Sequence, residues 1–173
     1  MKVIVTSFLL FTSIYCFSQK PAKLTHPYAL LSGGVYKFDK QDATYQYGCS
    51  VGGTFNLISF GVGLKYTKFK ADKNAYIPVY VEFIAAPQTT VAPVIIARLG
   101  YGNYENKVKA GNTTVTTNGG LYLEFQIGVA LGKPPHQIVL SIGYARATFQ
   151  TIIGSTNSHT DTGGLSATVG LKI

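Results

Sequence analysis

Residues 120–131 read Gly-Leu-Tyr-Leu-Glu-Phe-Gln-Ile-Gly-Val-Ala-Leu, and the order of those side chains decides the fold. Leu121, Leu123, Phe125, Ile127, Val129 and Leu131 alternate with Tyr122, Glu124, Gln126, Gly128 and Ala130. A period of two belongs to a β-strand with one greasy face and one face of small or polar groups. No helical stripe fits, because every third or fourth position changes character.

The same alternation recurs in both directions along the chain. Upstream, Ile58, Phe60, Val62, Leu64 and Tyr66 alternate with Ser59, Gly61, Gly63, Lys65 and Thr67. Tyr45, Tyr47, Cys49, Val51 and Phe55 do so over 43–56. At the C-terminal end Leu165, Ala167, Val169, Leu171 and Ile173 alternate with Gly164, Ser166, Thr168, Gly170 and Lys172. Weaker segments cover 28–38, 76–84, 93–102 and 136–148. The phase of 28–38 is ambiguous. Pro78 falls inside the fourth segment, where it removes a ladder donor, so a bulge or frayed rim is expected there. The total is eight strands.

Connections of two kinds join them. The first, third, fifth and seventh (39–42, 69–75, 103–119 and 149–162) are polar and include the two longest. The second turns at Asn56-Leu57, the fourth spans 85–92, and the sixth is Gly132-Lys133-Pro134-Pro135. Long connections at one end and mostly short ones at the other suit an up-and-down antiparallel transmembrane β-barrel.

A soluble barrel that carries a ligand would have the same strand count with its greasy face inward. Composition separates the two. Only 13% of residues are charged, against about 25% in ordinary soluble domains. The face opposite the greasy one is largely Gly, Ser, Thr, Gln and Ala, which suits a narrow lumen better than a water-facing surface. Most charges fall in or beside the long connections, where water solvates them. Aromatics of the apolar phase gather near strand ends: Tyr45, Tyr47, Tyr66, Tyr101 and Tyr144 toward the long connections, Phe55, Phe60 and Phe83 toward the short ones. Two interfacial girdles have this distribution.

Residues 1–18 (MKVIVTSFLLFTSIYCFS) have a basic start, an apolar middle and a small-residue end. They read as a signal peptide, leaving a barrel domain over 19–173. Cys16 would leave with it, so Cys49 has no partner for a disulfide and is expected to face lipid.

These features resemble the small outer-membrane β-barrels of Gram-negative bacteria, such as the transmembrane domain of OmpA and the OmpX-like barrels. The resemblance covers 27–173. Val169-Gly170-Leu171-Lys172-Ile173 is similar to the C-terminal strand signal read by the barrel-assembly machinery, with Ile173 where Phe is most common. Tyr76–Phe83 and Ala97–Tyr101 are similar to uncharacterised outer membrane protein beta-barrel domains. The resemblance implies export, assembly in the outer membrane, and both termini in the periplasm.

Four charged residues share the inward phase: Lys65, Glu82, Arg98 and Glu124. Opposite charges in a narrow lumen neutralise one another, so an ion-pair cluster that plugs the barrel is expected; a gate opened by exchange of pairs is the functional alternative. Arg146 falls on the outward phase near the long connections. With Lys68 it is expected to meet lipid phosphates. Ser155–Asp161 contains the residue types of a nucleophilic site around His159, but neighbours on one connection do not converge as catalysis needs. No catalytic residue, metal site or cofactor is therefore assigned. The net charge of +8 is dispersed over separate connections without a nucleic-acid motif, so nucleic acid is not an expected partner. The expected role is structural or surface interaction through 103–119 and 149–162, whose Thr, Asn, Gly and Ser suit a glycan or protein ligand. A narrow pore and a soluble periplasmic or secreted ligand-binding barrel are the alternatives.

Overall fold

A computed structural model describes residues 26–38, 43–68, 75–110, 113–153 and 156–173. The expected signal peptide at 1–18, the connection at 39–42 and most of that at 69–75 lie outside these residues. Ten strands follow in order: β1 (His26–Phe38), β2 (Thr44–Phe55), β3 (Ile58–Lys68), β4 (Ala75–Ala85), β5 (Val91–Asn103), β6 (Glu105–Ala110), β7 (Thr113–Asn118), β8 (Leu121–Leu131), β9 (Gln137–Ile153) and β10 (Thr156–Lys172).

Eight of them form a closed, all-antiparallel barrel in the order β1-β2-β3-β4-β5-β8-β9-β10, and β10 pairs back to β1 from Leu30↔Lys172 to Phe38↔Gly164. The seam extends one residue further, with Ala29 and Ile173 exchanging backbone hydrogen bonds of 2.7 and 2.9 Å. Closure leaves no unpaired strand edge along the wall, as hydrocarbon requires.

The registers fix the shape of the cylinder. Stepping through directly paired residues from Pro27 leads to Gly53, Phe60, Phe83, Ala97, Phe125, Tyr144 and Leu165, and returns to β1 at Lys37. The path comes back ten residues along the strand it left. An eight-stranded barrel with that shear has strands tilted by about 35–45°. A row of paired residues therefore climbs as it circles the wall. Phe60 and Phe83 near the short turns and Tyr144 near the long connections are thus members of one ascending row.

Apolar side chains face outward. Leu165 is 68% exposed, and Val62 and Ile142 are likewise open on the outer wall. In water so continuous an apolar surface would be an association liability; beside acyl chains it is matched. The β2–β3 connection at the short-turn end is tight. Asn56 takes a φ of 56° in the Asn56-Leu57 turn, a left-handed conformation that Asn tolerates.

Three expectations are corrected. First, the described residues of the connections expected at 103–119 and 149–162 are mostly strand. They continue the ladders: β6 pairs with β7 from Glu105↔Asn118 to Ala110↔Thr113, and β9 with β10 up to Thr156↔Ile153. Thr, Val and Ile in these stretches favour extended backbone even where the greasy alternation stops. β7 also pairs with the end of β9, so β6, β7, β9 and β10 make a sheet rising above one side of the barrel. Second, Pro78 interrupts the ladder, as expected, but without a bulge or a frayed rim. β3–β4 pairing lapses between Leu64↔Val79 and Thr67↔Tyr76 and resumes in the same register. Pro78 is fully buried and stays paired with Gly102 on its other side. Third, the inward face is not only small and polar. Leu30, Ile84, Val94, Ile96 and Val139 are buried inside, near the short turns. The ambiguous phase of 28–38 resolves with Tyr28, Leu30 and Tyr36 inward and Leu31, Val35 and Lys37 outward.

Candidate functional site

The interior has three layers. Toward the short turns lies the apolar group around Leu30, Ile84 and Val94. Toward the long hairpins Tyr36, Tyr76, Tyr80, Tyr104, Tyr122 and Phe149 pack together, with Tyr76 and Phe149 rings 5.3 Å apart and Tyr104 edge-on to Phe149 at 5.4 Å. Between them runs a belt of charged and polar side chains.

The belt is built by the period of two. Glu82 on β4, Arg98 on β5 and Glu124 on β8 are directly opposite one another on successive strands, all inward. Arg98 Nε donates to Glu82 Oε2 at 2.6 Å, and Nη1 donates to Glu124 Oε2 at 2.7 Å. Lys65 comes from β3, three strands from β8, and its Nζ reaches Glu124 Oε2 at 2.6 Å. The structure thus brings all four charged residues together. Each of their side chains is 2% exposed or less. Two cations and two carboxylates balance within these four contacts, which is the condition for keeping charge in so dry a space; a further buried cation, Lys172, lies nearer the short turns, where its Nζ donates to Ser59 Oγ at 3.0 Å and stands 5.0 Å from the Tyr28 ring centre.

Uncharged neighbours satisfy the remaining acceptors. Ser50 Oγ and Tyr28 Oη donate to Glu82 Oε1 at 2.6 and 3.0 Å. Tyr122 Oη donates to Glu124 Oε2 at 2.8 Å, and Gln126 Nε2 to Glu124 Oε1 at 3.0 Å. Ser141 Oγ donates to Gln126 Oε1 at 3.0 Å. Arg98 lies 5.3 Å over the Tyr80 ring, and Lys65 5.8 Å from the Tyr122 ring centre. Tyr122 and Gln126 stand two residues either side of Glu124, so strand parity places them on its face. Nothing local marks Tyr28 and Ser50 as partners of Glu82, because those contacts depend on barrel curvature.

Glycine on the inner wall makes room for this filling. A Cβ at Gly61 would stand 2.3 Å from Tyr28 Oη, and one at Gly102 would stand 2.0 Å from the Tyr76 ring.

Arg146 and Lys68 are both exposed near the long-hairpin end, but on β9 and β3, which face away from each other across the barrel. Arg146 Nη2 pairs with Asp161 Oδ2 on β10, and Thr148 Oγ1 donates to Asp161 Oδ1 at 2.9 Å. These donors hold the Asp161 carboxyl below the usual aspartate range, Arg146 contributing most. Ser158 and His159 are adjacent on β10 and project from opposite faces of it. Cys49 is a free, exposed thiol on the outer wall. Among the described residues no three His, Cys, Asp or Glu side chains are grouped to hold a metal.

The wall, the shear and the filled interior define an architecture with known counterparts. The chain is similar to the crystal structure of Neisserial surface protein A, at 20% identity over 85% of this chain and 97% of that one, with a TM-score of 0.56. It is also similar to the N-terminal β-barrel domain of OprF from Pseudomonas aeruginosa, at 10% identity over 87% of this chain and all of that domain, with a TM-score of 0.51. No family model matches the chain, and no curated protein does. At these identities the likeness is one of fold: the chain has the fold of the small eight-stranded outer-membrane barrels.

Proposed function

We propose that this barrel is an exported, integral outer-membrane protein without catalytic activity, closed to ions, whose role is envelope structure and surface interaction. The observation that carries the proposal is the pairing of an apolar outer wall with an interior filled along its length. The aromatic layer, the neutral belt and the apolar layer lie one behind another on the axis. Eight strands enclose little more than their own side chains, which argues against a standing pore. The outward apolar phase argues against a soluble carrier. The raised sheet of β6, β7, β9 and β10, rich in Thr, Asn and Ser, would offer hydrogen bonds to a glycan or a protein outside the cell.

Two measurements test this. In planar bilayers the folded barrel should give no steady ion current; a sustained conductance would establish the pore instead. In intact cells an impermeant amine reagent should label Lys107 on the raised hairpin and spare Lys133 at the short turn. Labelling of Lys133 alone would invert the orientation. Release of the protein by alkaline carbonate washing would overturn the integral reading altogether.

A further inference from the structure

Among its aromatic members, the ascending row of outward residues is interrupted at Ala97. Phe60, Phe83, Phe125 and Tyr144 are large and Ala97 between Phe83 and Phe125 is small. The wall is indented there by a depression of about 680 Å³, whose sides include Phe83, Leu99, Leu123 and Phe125. Its lining reaches Tyr144 and Arg146 toward the long-hairpin end. We propose that this notch seats one acyl chain of a phosphorylated lipid from the surrounding leaflet, with the lipid phosphate taken by Arg146.

The position excludes water as the occupant if the barrel is membrane-integral, so the inference rests on the functional reading above. Any part of the outer wall touches lipid, but a shallow depression flanked by the Phe83 and Phe125 rings gives a chain side contacts as well as a floor. It therefore offers more dispersion contacts than a smooth strand face. The charge is the second element. An arginine on the lipid-facing phase is tolerated only near the interface, where its head can reach polar groups. Arg146 is placed there, two residues beyond Tyr144. Asp161 receives one Nη of its guanidinium, and more than half of the side chain remains exposed. A guanidinium has five donors in a planar fork that matches a phosphate, so the Asp161 pair orients the group without exhausting it. Lys68, on the far side of the barrel, has no part in this seat.

The test uses the folded full-length barrel in vesicles of equal dipalmitoyl phosphatidic acid and dipalmitoyl phosphatidylcholine. Lipid retained per barrel after extraction is counted by native mass spectrometry. The unaltered protein should retain phosphatidic acid in preference by roughly tenfold, the scale of one charge-assisted hydrogen bond. Arg146→Gln should keep bound lipid and lose the preference. Ala97→Phe, which completes the aromatic row, should retain severalfold less of both lipids. Both substitutions are on the outer wall, and slow migration of the unheated barrel on gels verifies folding. Equal retention of the two lipids by the unaltered protein overturns the proposal, as does undiminished retention by Ala97→Phe. A cross-linked dimer abolished by Ala97→Phe would also overturn it, by making a second barrel the occupant. If carbonate releases the protein, the functional reading fails. If the protein stays in the membrane without lipid preference, only the seat fails.

Discussion

Glu124→Gln is the substitution that most directly probes the neutral belt. The carboxylate touches both cations, at 2.6 Å from Lys65 and 2.7 Å from Arg98, and also accepts from Tyr122 and Gln126. A neutral amide leaves Lys65 with no carboxylate in contact and gives the sealed belt one uncompensated positive charge. Breaking one partner of a buried pair costs about 3–5 kcal/mol, and the belt is as dry as that comparison requires. Glu82→Gln should cost less, about 1.5–3 kcal/mol, because both cations still touch Glu124. The pair Lys65→Met with Glu124→Gln restores neutrality with Arg98 and Glu82 intact, and should lose less than about 1.5 kcal/mol relative to the parent. Reversible urea unfolding in vesicles, scored by the folded band on unheated gels, measures all four proteins. A loss below about 0.5 kcal/mol for Glu124→Gln would mean that water reaches the belt. A double variant no more stable than Glu124→Gln would show that charge balance is not the cause.

Three further outcomes follow. Gly102→Ala places a methyl against the Tyr76 ring and should cost about 1–3 kcal/mol by overpacking; with Tyr76→Ala the two losses should add to less than their sum, and strict additivity in urea unfolding would refute the contact. The Asp161 carboxyl, depressed first by Arg146 and then by Thr148, should titrate by NMR below the usual aspartate range. Its contribution is present above the ordinary aspartate pKa and disappears as pH falls through the lowered one, so amide exchange at the β9–β10 tip should quicken only in strong acid; Asp161→Asn should abolish the step. A nitroxide on Cys49 should respond to dissolved oxygen far more than to a water-soluble nickel chelate, since that side chain leaves the outer wall; the reverse would turn the barrel inside out.

What the sequence discloses follows from where parity carries information. Glu82, Arg98 and Glu124 each fall opposite the outward greasy phase of their segment (Val81 and Phe83, Leu99 and Tyr101, Leu123 and Phe125), so their shared lumen is legible from parity alone. Lys65 is legible in the same way, though not its reach across the barrel to β8. Residues 91–96 are apolar at nearly every position, so parity is silent, and the buried set of Val94 and Ile96 emerges only when β5 is paired. Thr113–Asn118 has the composition of a hydrated connection, yet β-branched residues extend it once β9 supplies a neighbour. Register is least visible of all. The contrast between Ala97 and its aromatic neighbours has no meaning along the chain, because Phe83 and Phe125 come from two other strands and meet it only through strand pairing.

The ten-residue offset at the seam has a mechanical corollary. Diameter and strand inclination in a closed sheet are tied to that offset, and a strand can slip only in steps of two without turning its greasy side chains inward. Widening the cylinder would require rupturing a complete ladder of backbone bonds inside hydrocarbon. The barrel is therefore a rigid ring rather than an iris, and whatever movement it performs is left to side chains within it and to the polar hairpins standing above.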